Sequence, residues 1–517
     1  MKLILKEKIF ITILFLFALL ANQYYGNRGI FPIDSFAHFD TGFRILLGEY
    51  PFKDYWIVSG PLLDYIQAIF FYLFGINWQS YIFHASLVNA ILAVATFLVF
   101  RNFNLNVYYS LFFSLSFSLL AYPSSGTPFV DHHSAFFSLI GIYALILGIK
   151  NEEKIYWILL PIFFGFAFLS KQAPSSYIII FAVFILVYFT FIQKSFYWIK
   201  YSFLSSILFI FVIFIFGKLQ GISLSSFLEQ YFFYPQSIGS KRIENFNFTF
   251  NGVIDHFKFI YLALIPLFYV NCKKLFLEKS YYKKKDFLYF LVLISLTFSL
   301  IFHQLLTKNQ TFIFFIIPIL FGFSQIYLKL SKLNFVLLIL LSICLFATVK
   351  YHIRFNENRK FHELNYVNFD LSSDAKKIDK KFIGLKWITP QYKNKSKEEI
   401  SLINEVKLYL LNDKRNKMVI TNYSFFSSIL NEKIFSPSRW YVSDGSAYPL
   451  KNNKYFTSYK NLFLNTIKKN NIKVIYTIYP QKNSIIYKLI GRNCFNEVKI
   501  SNMLNSYELR NCYEING

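Results

Sequence analysis

Residues 155–193 read IYWILLPIFFGFAFLSKQAPSSYIIIFAVFILVYFTFIQ, and this stretch decides the class of fold. The apolar run is interrupted only by Ser170-Lys171-Gln172 and by Pro174. A membrane-spanning helix needs about 20 mainly apolar residues, so the run is long enough for two short spans joined by a tight turn. It therefore predicts a helical hairpin in a bilayer.

The rest of the chain has the same character. Of its 517 residues, 55% are hydrophobic, 21% are aromatic and only 16% are charged, and the mean hydropathy is +0.40. A soluble protein of this length has no means of burying so much apolar surface. We therefore predict a polytopic α-helical membrane protein with about eleven spans. The predicted spans are 9–25, 80–100, 107–122, 132–149, 155–170, 173–193, 198–216, 257–272, 286–306, 311–328 and 333–349.

The distribution of basic residues predicts the orientation, because short cytoplasmic loops are enriched in Lys and Arg. Residues 273–285 alone contain Lys273, Lys274, Lys283, Lys284 and Lys285. The connections on the other side of the predicted bilayer contain few basic residues for their length. We expect a cytoplasmic N-terminus and, after an odd number of spans, an extracytoplasmic C-terminal region.

Besides the external segment 217–256, two regions outside the predicted spans have secondary-structure patterns of their own. In the first external segment, 36–48 and 62–75 have the pattern of helices that lie in the membrane interface. After residue 350, helix patterns at 398–412 and 455–470 alternate with the strand patterns 418–423 and 472–479. We therefore divide the chain into a transmembrane domain, 1–350, and an extracytoplasmic α/β domain, 351–517.

The four cysteines and the net charge of +26 say less about function than the apolar runs say about fold. Cys494 and Cys512 both fall in the predicted extracytoplasmic domain, where a disulfide is as plausible as two unrelated cysteines. The positive charge suits anionic lipid or glycan, and a chain that is mostly membrane is a poor nucleic-acid partner.

The acidic residues indicate where chemistry takes place. Asp34 follows the first predicted span in FPIDSFAHFD (31–40), and Asp131 lies in the next external loop, in GTPFVDHHSAFF (126–137). The sequence contains no nucleotide-binding motif, which favours an activated lipid phosphate as the energy source. Sugar transfer from such a lipid requires a carboxylate base and cations that hold the leaving phosphate. Asp34 and Asp131 are the candidate carboxylates, and the candidate cations are Lys171, Arg44, Lys53 and Arg28.

These residues occur within a longer series of motifs. Asp34 is followed by Gly48 and the Pro51-Phe52-x-Asp54-x-Trp56 element. Further along are Gly60-Pro61-Leu62, Phe74-Gly75, Asp131 before the fourth span and Lys171-Gln172 after the fifth. In order and spacing, the series resembles the GT-C-type membrane glycosyltransferases, the superfamily of protein O-mannosyltransferases and lipid A aminoarabinose transferases. The resemblance covers roughly residues 9–330.

The resemblance implies a glycosyltransferase with a polyprenyl-phosphate sugar donor. The acid after the first span, Asp34, takes the role of catalytic base. Family members often have Asp-Glu there, whereas this chain has Ser35, which leaves open whether Asp40 shares the role. The second-loop acid corresponds to Asp131, and the lysine that contacts the lipid phosphate corresponds to Lys171, with Arg44 or Lys53 assisting.

The expected activity is transfer of a hexose- or pentose-type sugar, with inversion, to a hydroxyl on a cell-envelope glycan, lipid or protein. The expected location is the outer face of a bacterial-type inner (plasma) membrane. No cofactor is expected, although carboxylates and imidazoles among Asp34, His38, Asp40, Asp131 and His132 suit a divalent metal.

Other interpretations of the same residues stay open. Asp34 and Asp131 are also suited to cap the helices that follow them, and Lys171 to snorkel to the interface. The chain as a whole is alternatively a transporter or flippase of a polyprenyl-linked glycan, or a non-catalytic assembly protein. A coupled transporter usually places ionisable groups at the middle of its spans, and these spans lack Asp and Glu there.

Overall fold

The structure is a computed structural model that describes residues 4–512 except 245–248, 308–312, 331, 443, 479–483 and 511. It divides into two compact units, each built from three segments of the chain. The first unit comprises Met1–Gly26, Ile82–Phe214 and Asn245–Phe361. The second comprises Asn27–Tyr81, Ile215–Glu244 and His362–Gly517.

The fold is mostly helical. From the N-terminus the α-helices are α1 Leu5–Gly26, α2 Pro32–Ser35, α3 Ala37–Leu46, α4 Pro61–Phe74, α5 Trp78–Asn102, α6 Val107–Leu120, α7 Val130–Asn151, α8 Lys154–Ser170, α9 Gln172–Gln193 and α10 Tyr197–Leu219. They continue with α11 Leu224–Leu228, α12 Tyr234–Glu244, α13 Lys258–Leu277, α14 Lys285–Thr307, α15 Ile316–Tyr327, α16 Phe335–His352, α17 Ser396–Asn412, α18 Phe426–Leu430, α19 Phe456–Lys469 and α20 Ser484–Leu489.

A helix occupies each predicted span. Among the described residues, eight helices are long and apolar enough to cross a membrane: α1, α5, α7, α9, α10, α13, α14 and the helix that begins at Phe335. The spans predicted at 107–122, 155–170 and 311–328 are the shorter helices α6, α8 and α15. Residues 311 and 312 of the last of these lie outside the described residues. The helices predicted at 36–48 and 62–75 are α3 and α4.

The first unit is built around α7. This helix is buried along most of its length, because its side chains pack on several neighbouring helices at once. Small residues allow the closest approaches: a Cβ on Gly141 would meet the Phe164 ring at 2.5 Å, and one on Gly148 would meet Trp157 at 2.9 Å. The middle and the last turns of α7 are therefore packed tightly against α8.

The second unit contains the β-structure, in the strands β1 Ser373–Asp374, β2 Lys386–Trp387, β3 Lys417–Ile420, β4 Val474–Ile478, β5 Phe495–Lys499 and β6 Leu504–Leu509. β1 and β2 form a small antiparallel ribbon. The other strands form a sheet of order β3-β4-β6-β5. β3 and β4 are parallel, which requires a long crossover, and the segment between them with α18 and α19 supplies it; the remaining pairs are antiparallel.

The elements predicted for the C-terminal region are confirmed. The helices predicted at 398–412 and 455–470 are α17 and α19, and the two predicted strands are β3 and β4. Residue 479, the last of the predicted second strand, lies outside the described residues. The structure joins Cys494 and Cys512 in a disulfide, with their Cα atoms 5.4 Å apart. The predicted domain boundary at residue 350 stays a prediction.

Candidate functional site

The polar centre of the first unit is the carboxylate of Asp131, in the first turn of α7. Its side chain is almost fully buried. Lys171 Nζ donates to Oδ1 and Oδ2 at 2.8 and 2.7 Å, and His303 Nε2 lies 2.8 Å from Oδ1. The positive end of the helix dipole also favours a negative charge at this position. The two bonds from Lys171, the contact with His303 and the helix dipole together compensate for the burial of this carboxylate.

Lys171 is positioned by the junction of α8 and α9. It ends α8 and precedes α9 with an extended backbone, and its carbonyl accepts from the hydroxyls of Ser134 and Ser175 at 3.0 and 2.6 Å. The side chain keeps 23% exposure. An ammonium group has three hydrogens, and the two bonds to Asp131 leave one for an additional acceptor. Lys171 is thus an ion-pair partner rather than a lysine that merely snorkels.

The loop that leads into α7 is fixed from two sides. The buried guanidinium of Arg359 donates to the carbonyls of Pro123 and Ser125 at 2.8 and 2.9 Å. Gly126 has φ +76° and lies so close to Gly26 that a Cβ would meet its Cα at 2.5 Å. The helix begins after Phe129, which makes no side-chain cap, so Asp131 is not the capping residue.

Asp34 lies in the second unit, in the single turn α2. Its side chain is partly exposed, and its backbone N–H donates to the Phe31 carbonyl at 3.0 Å. The helix that follows is preceded by Phe36, which makes no side-chain cap. The carboxylate of Asp34 is therefore not the cap of α3, and a capping role does not account for its presence.

Asp40 and Arg44 lie one turn apart on α3. Arg44 is buried, and its Nε donates to Glu49 Oε2 at 2.6 Å. Burial raises the pKa of Asp40 to about 6; the Arg44 charge opposes that shift, and the carboxylates of Glu49 and Asp64 add to it. Asp40 is therefore a stronger base than an ordinary aspartate and is still mostly ionised at neutral pH.

The remaining predicted cations differ in their surroundings. Lys53 is exposed, and its Nζ donates to the Gln220 carbonyl at 3.0 Å. The guanidinium of Arg28 lies 4.7 Å from the centre of the Phe369 ring. The structure thus pairs Lys171 with Asp131 in the first unit, and it locates Asp34, Asp40, Arg44 and Lys53 in the second.

The second unit has a buried carboxylate of its own, Asp64 in the first turn of α4. Oδ1 accepts from Thr41 at 2.6 Å and lies 2.7 Å from His38 Nδ1. Oδ2 accepts from Arg439 at 2.6 Å and from the Tyr55 hydroxyl at 3.1 Å. Burial and the nearby Arg439 lower the pKa of His38 to about 4, so His38 is neutral and Arg439 alone balances the charge of Asp64.

Sequence reasoning missed Arg439 and His303. Arg439 is 375 residues from Asp64, and His303 is 172 residues from Asp131. Asp64 itself gave a signal, because a carboxylate interrupts an otherwise apolar helix pattern. Among the described residues, no group of three or more His, Cys, Asp or Glu side chains is arranged to hold a metal ion.

Comparison with known proteins identifies a family that matches part of the chain and a similar fold. Residues 58–216 match the family described as dolichyl-phosphate-mannose-protein mannosyltransferase. The whole fold is similar to the crystal structure of ArnT from Cupriavidus metallidurans bound to undecaprenyl phosphate. That similarity has a TM-score of 0.50 and 9% sequence identity, and it covers 96% of this chain and 97% of that one. No curated protein sequence matches the chain.

The predicted resemblance is therefore confirmed over residues 58–216, which match this family, and in the fold, which is similar to that of ArnT. The mostly helical fold with a small C-terminal sheet was predicted, and it is similar to the fold of ArnT.

The ion pair of Asp64 and Arg439 generates a prediction about stability. Replacing Arg439 with Met leaves a fully buried carboxylate without a cation, which costs about 3–5 kcal/mol. We expect a marked fall in the unfolding temperature of the detergent-solubilised protein. The matched control is Lys469→Met, because Lys469 is largely exposed and its partner Asp54 is 3.6 Å away. The same small shift in both variants would contradict a structural role for Arg439.

Proposed function

We propose that the chain transfers a sugar from a polyprenyl-phosphate donor to a hydroxyl acceptor at the outer face of the membrane, with inversion at the anomeric carbon. The acceptor is a cell-envelope glycan, lipid or protein. The family match supports sugar transfer. The presence of undecaprenyl phosphate in the similar ArnT crystal structure supports a donor of that lipid class.

The observation that carries the proposal is the pair of Lys171 and Asp131. A lysine that is held by a buried carboxylate is fixed in place, and here it keeps one hydrogen for an oxygen of the donor phosphate. His303 acts through Asp131 as a positioning residue, because it holds Oδ1 in the orientation that receives Lys171. A preorganised cation of this kind stabilises the negative charge that develops on a leaving phosphate.

The proposed reaction is a single displacement. Asp34 takes the proton from the acceptor hydroxyl as its oxygen attacks the anomeric carbon of the sugar. The bond between that carbon and the phosphate oxygen breaks, and its electron pair leaves with the polyprenyl phosphate. Attack and departure on opposite faces invert the anomeric configuration.

Asp40 and the second-unit cations have supporting roles in the proposal. A pKa of about 6 suits Asp40 to share the proton with Asp34 near neutral pH. Lys53 is proposed to assist at the phosphate, since its ammonium is exposed and its described contacts, the Gln220 carbonyl and the Tyr50 ring at 5.5 Å, are both uncharged. Arg44 is already neutralised by Glu49 in the protein interior, so we assign it to holding α3 rather than to the donor.

The transporter alternative has less support. In the eight described helices of spanning length, the acids within the α-helical segments lie in first turns, as Glu7, Asp131 and Asp286 do. A coupled transporter usually needs ionisable groups near the bilayer midplane. Carboxylates at helix ends suit chemistry at the membrane surface instead.

The role of Asp34 is tested by Asp34→Asn, which retains size and hydrogen bonding but removes the base. We expect the transfer rate from a polyprenyl-phosphate sugar to fall by about 10²–10⁴ with the fold intact. Asp54→Asn is the matched control, because Asp54 belongs to the same loop region and accepts from the Tyr50 backbone N–H. A folded Asp34→Asn protein with wild-type turnover would remove Asp34 from the mechanism.

The role of Lys171 is tested by Lys171→Ala. Loss of a charge-assisted hydrogen bond to the phosphate costs about 1.5–3 kcal/mol, so we expect donor affinity to fall about 10- to 100-fold. This affinity is measured directly as the dissociation constant of polyprenyl phosphate from the purified protein. Lys285→Ala is the control, because Lys285 also pairs with a carboxylate, that of Glu152. Unchanged donor binding in Lys171→Ala would contradict the assignment.

A further inference from the structure

A basic turn of the second unit lies beside the ends of two candidate spans. Residues 380–386 read KKFIGLK. The backbone N–H of Lys386 donates to the carbonyl of Asn27, the residue after α1, at 2.9 Å. Gln79, in the first turn of α5, donates from Nε2 to the Ile383 carbonyl at 2.8 Å and to Asn27 Oδ1 at 2.9 Å. Within the second unit the turn is thereby hydrogen-bonded to Asn27 and to Gln79 in the first turn of α5.

The turn directs its apolar residues in opposite directions. Phe382 is fully buried and packs on Trp78, whereas Ile383 is 51% exposed. Gly384 makes this possible with φ +91°, since a Cβ there would meet Gln79 Nε2 at 2.5 Å. Lys380 and Lys386 flank the exposed isoleucine and are themselves exposed. Ile383 is thus displayed between two lysines beside the span ends.

The last turn of α4 adds apolar surface next to the start of α5. Tyr72, Leu73 and Phe74 are 80%, 62% and 52% exposed. The Phe74 carbonyl accepts from the Ser80 hydroxyl at 2.9 Å, which joins the end of α4 to the first turn of α5. The last turn of α4 and the turn that contains Ile383 therefore both contact the first turn of α5. We refer to Tyr72, Leu73, Phe74 and Ile383, with Lys380 and Lys386, as the span-end surface.

We propose that the span-end surface binds anionic phospholipid head groups. Its apolar side chains enter the boundary between head groups and acyl chains, and the lysines reach the phosphates, as in helices and turns that lie in the interface. Two acids lie nearby. The carboxylate of Asp379 is engaged by Lys407 at 2.7 Å, and Asp374, opposite Lys386 in the β1–β2 ribbon, accepts from the Lys376 backbone N–H at 2.9 Å. Lys381 does not contribute, since its ammonium donates to Asn431 at 2.6 Å and to the Ser428 carbonyl.

The source of the phosphate is therefore the surrounding membrane and not the polyprenyl-phosphate donor. The exposed apolar residues of the span-end surface are covered by the acyl chains of several membrane lipids rather than by the single prenyl chain of one donor. The proposal is independent of the catalytic roles above, because it concerns neither Lys171 nor Asp34.

The test uses the full chain and the double variant Lys380→Gln/Lys386→Gln in nanodiscs of equal phosphatidylcholine and phosphatidylglycerol. Lipids retained by the protein are counted by native mass spectrometry. We expect the wild-type chain to retain phosphatidylglycerol preferentially and each lost lysine to reduce that preference about fivefold. High salt should reduce the wild-type preference as well.

The matched control is Lys473→Gln/Lys499→Gln, which removes two exposed lysines from the segment containing the four-stranded sheet. It should keep the wild-type lipid preference. Binding of polyprenyl phosphate is measured in parallel and should be unchanged in the Lys380→Gln/Lys386→Gln protein. An unaltered preference in that protein would overturn the proposal, as would a loss of polyprenyl-phosphate binding equal to the loss of phosphatidylglycerol.

Discussion

A carboxylate that is removed from water has to be balanced by cations and hydrogen-bond donors that lie directly against it. Each unit of this protein contains such a group. In the first, Lys171 and His303 bind Asp131 at the start of α7. In the second, Arg439 and three neutral side chains bind Asp64. The partners are distant in sequence, so each carboxylate also fixes elements of its own unit relative to one another.

The helical architecture was largely predictable, because the bilayer requires long apolar runs and backbone hydrogen bonds closed within each helix. Short spans were harder to delimit from the sequence, because α6 and α15 contain only 14 and 12 residues. Local patterns also located α17, α19, β3 and β4. The antiparallel partners β5 and β6 were missed, because strands rich in polar residues such as FNEVK (495–499) lack a clear alternating pattern.

The polar network was predictable only in part. The sequence pointed to Asp131 and Lys171 through position and resemblance, and the structure adds that they form one ion pair. The sequence offered no means of finding His303 or Arg439, since ion pairs between residues that are hundreds of positions apart leave no local pattern. Arg44 illustrates a further limit: a basic residue in a catalytic region is indistinguishable in sequence from one that is buried against Glu49.

We propose that this chain, whose fold is similar to that of ArnT, uses a polyprenyl-phosphate sugar and inverts its anomeric centre. The most direct measurement is incubation of the purified chain with a polyprenyl-phosphate sugar of defined anomeric configuration and a hydroxyl acceptor, followed by NMR analysis of the product. The account predicts release of polyprenyl phosphate in equal amount to a glycoside of opposite anomeric configuration. A product of retained configuration, or movement of the intact lipid-linked sugar across a membrane without transfer, would contradict it.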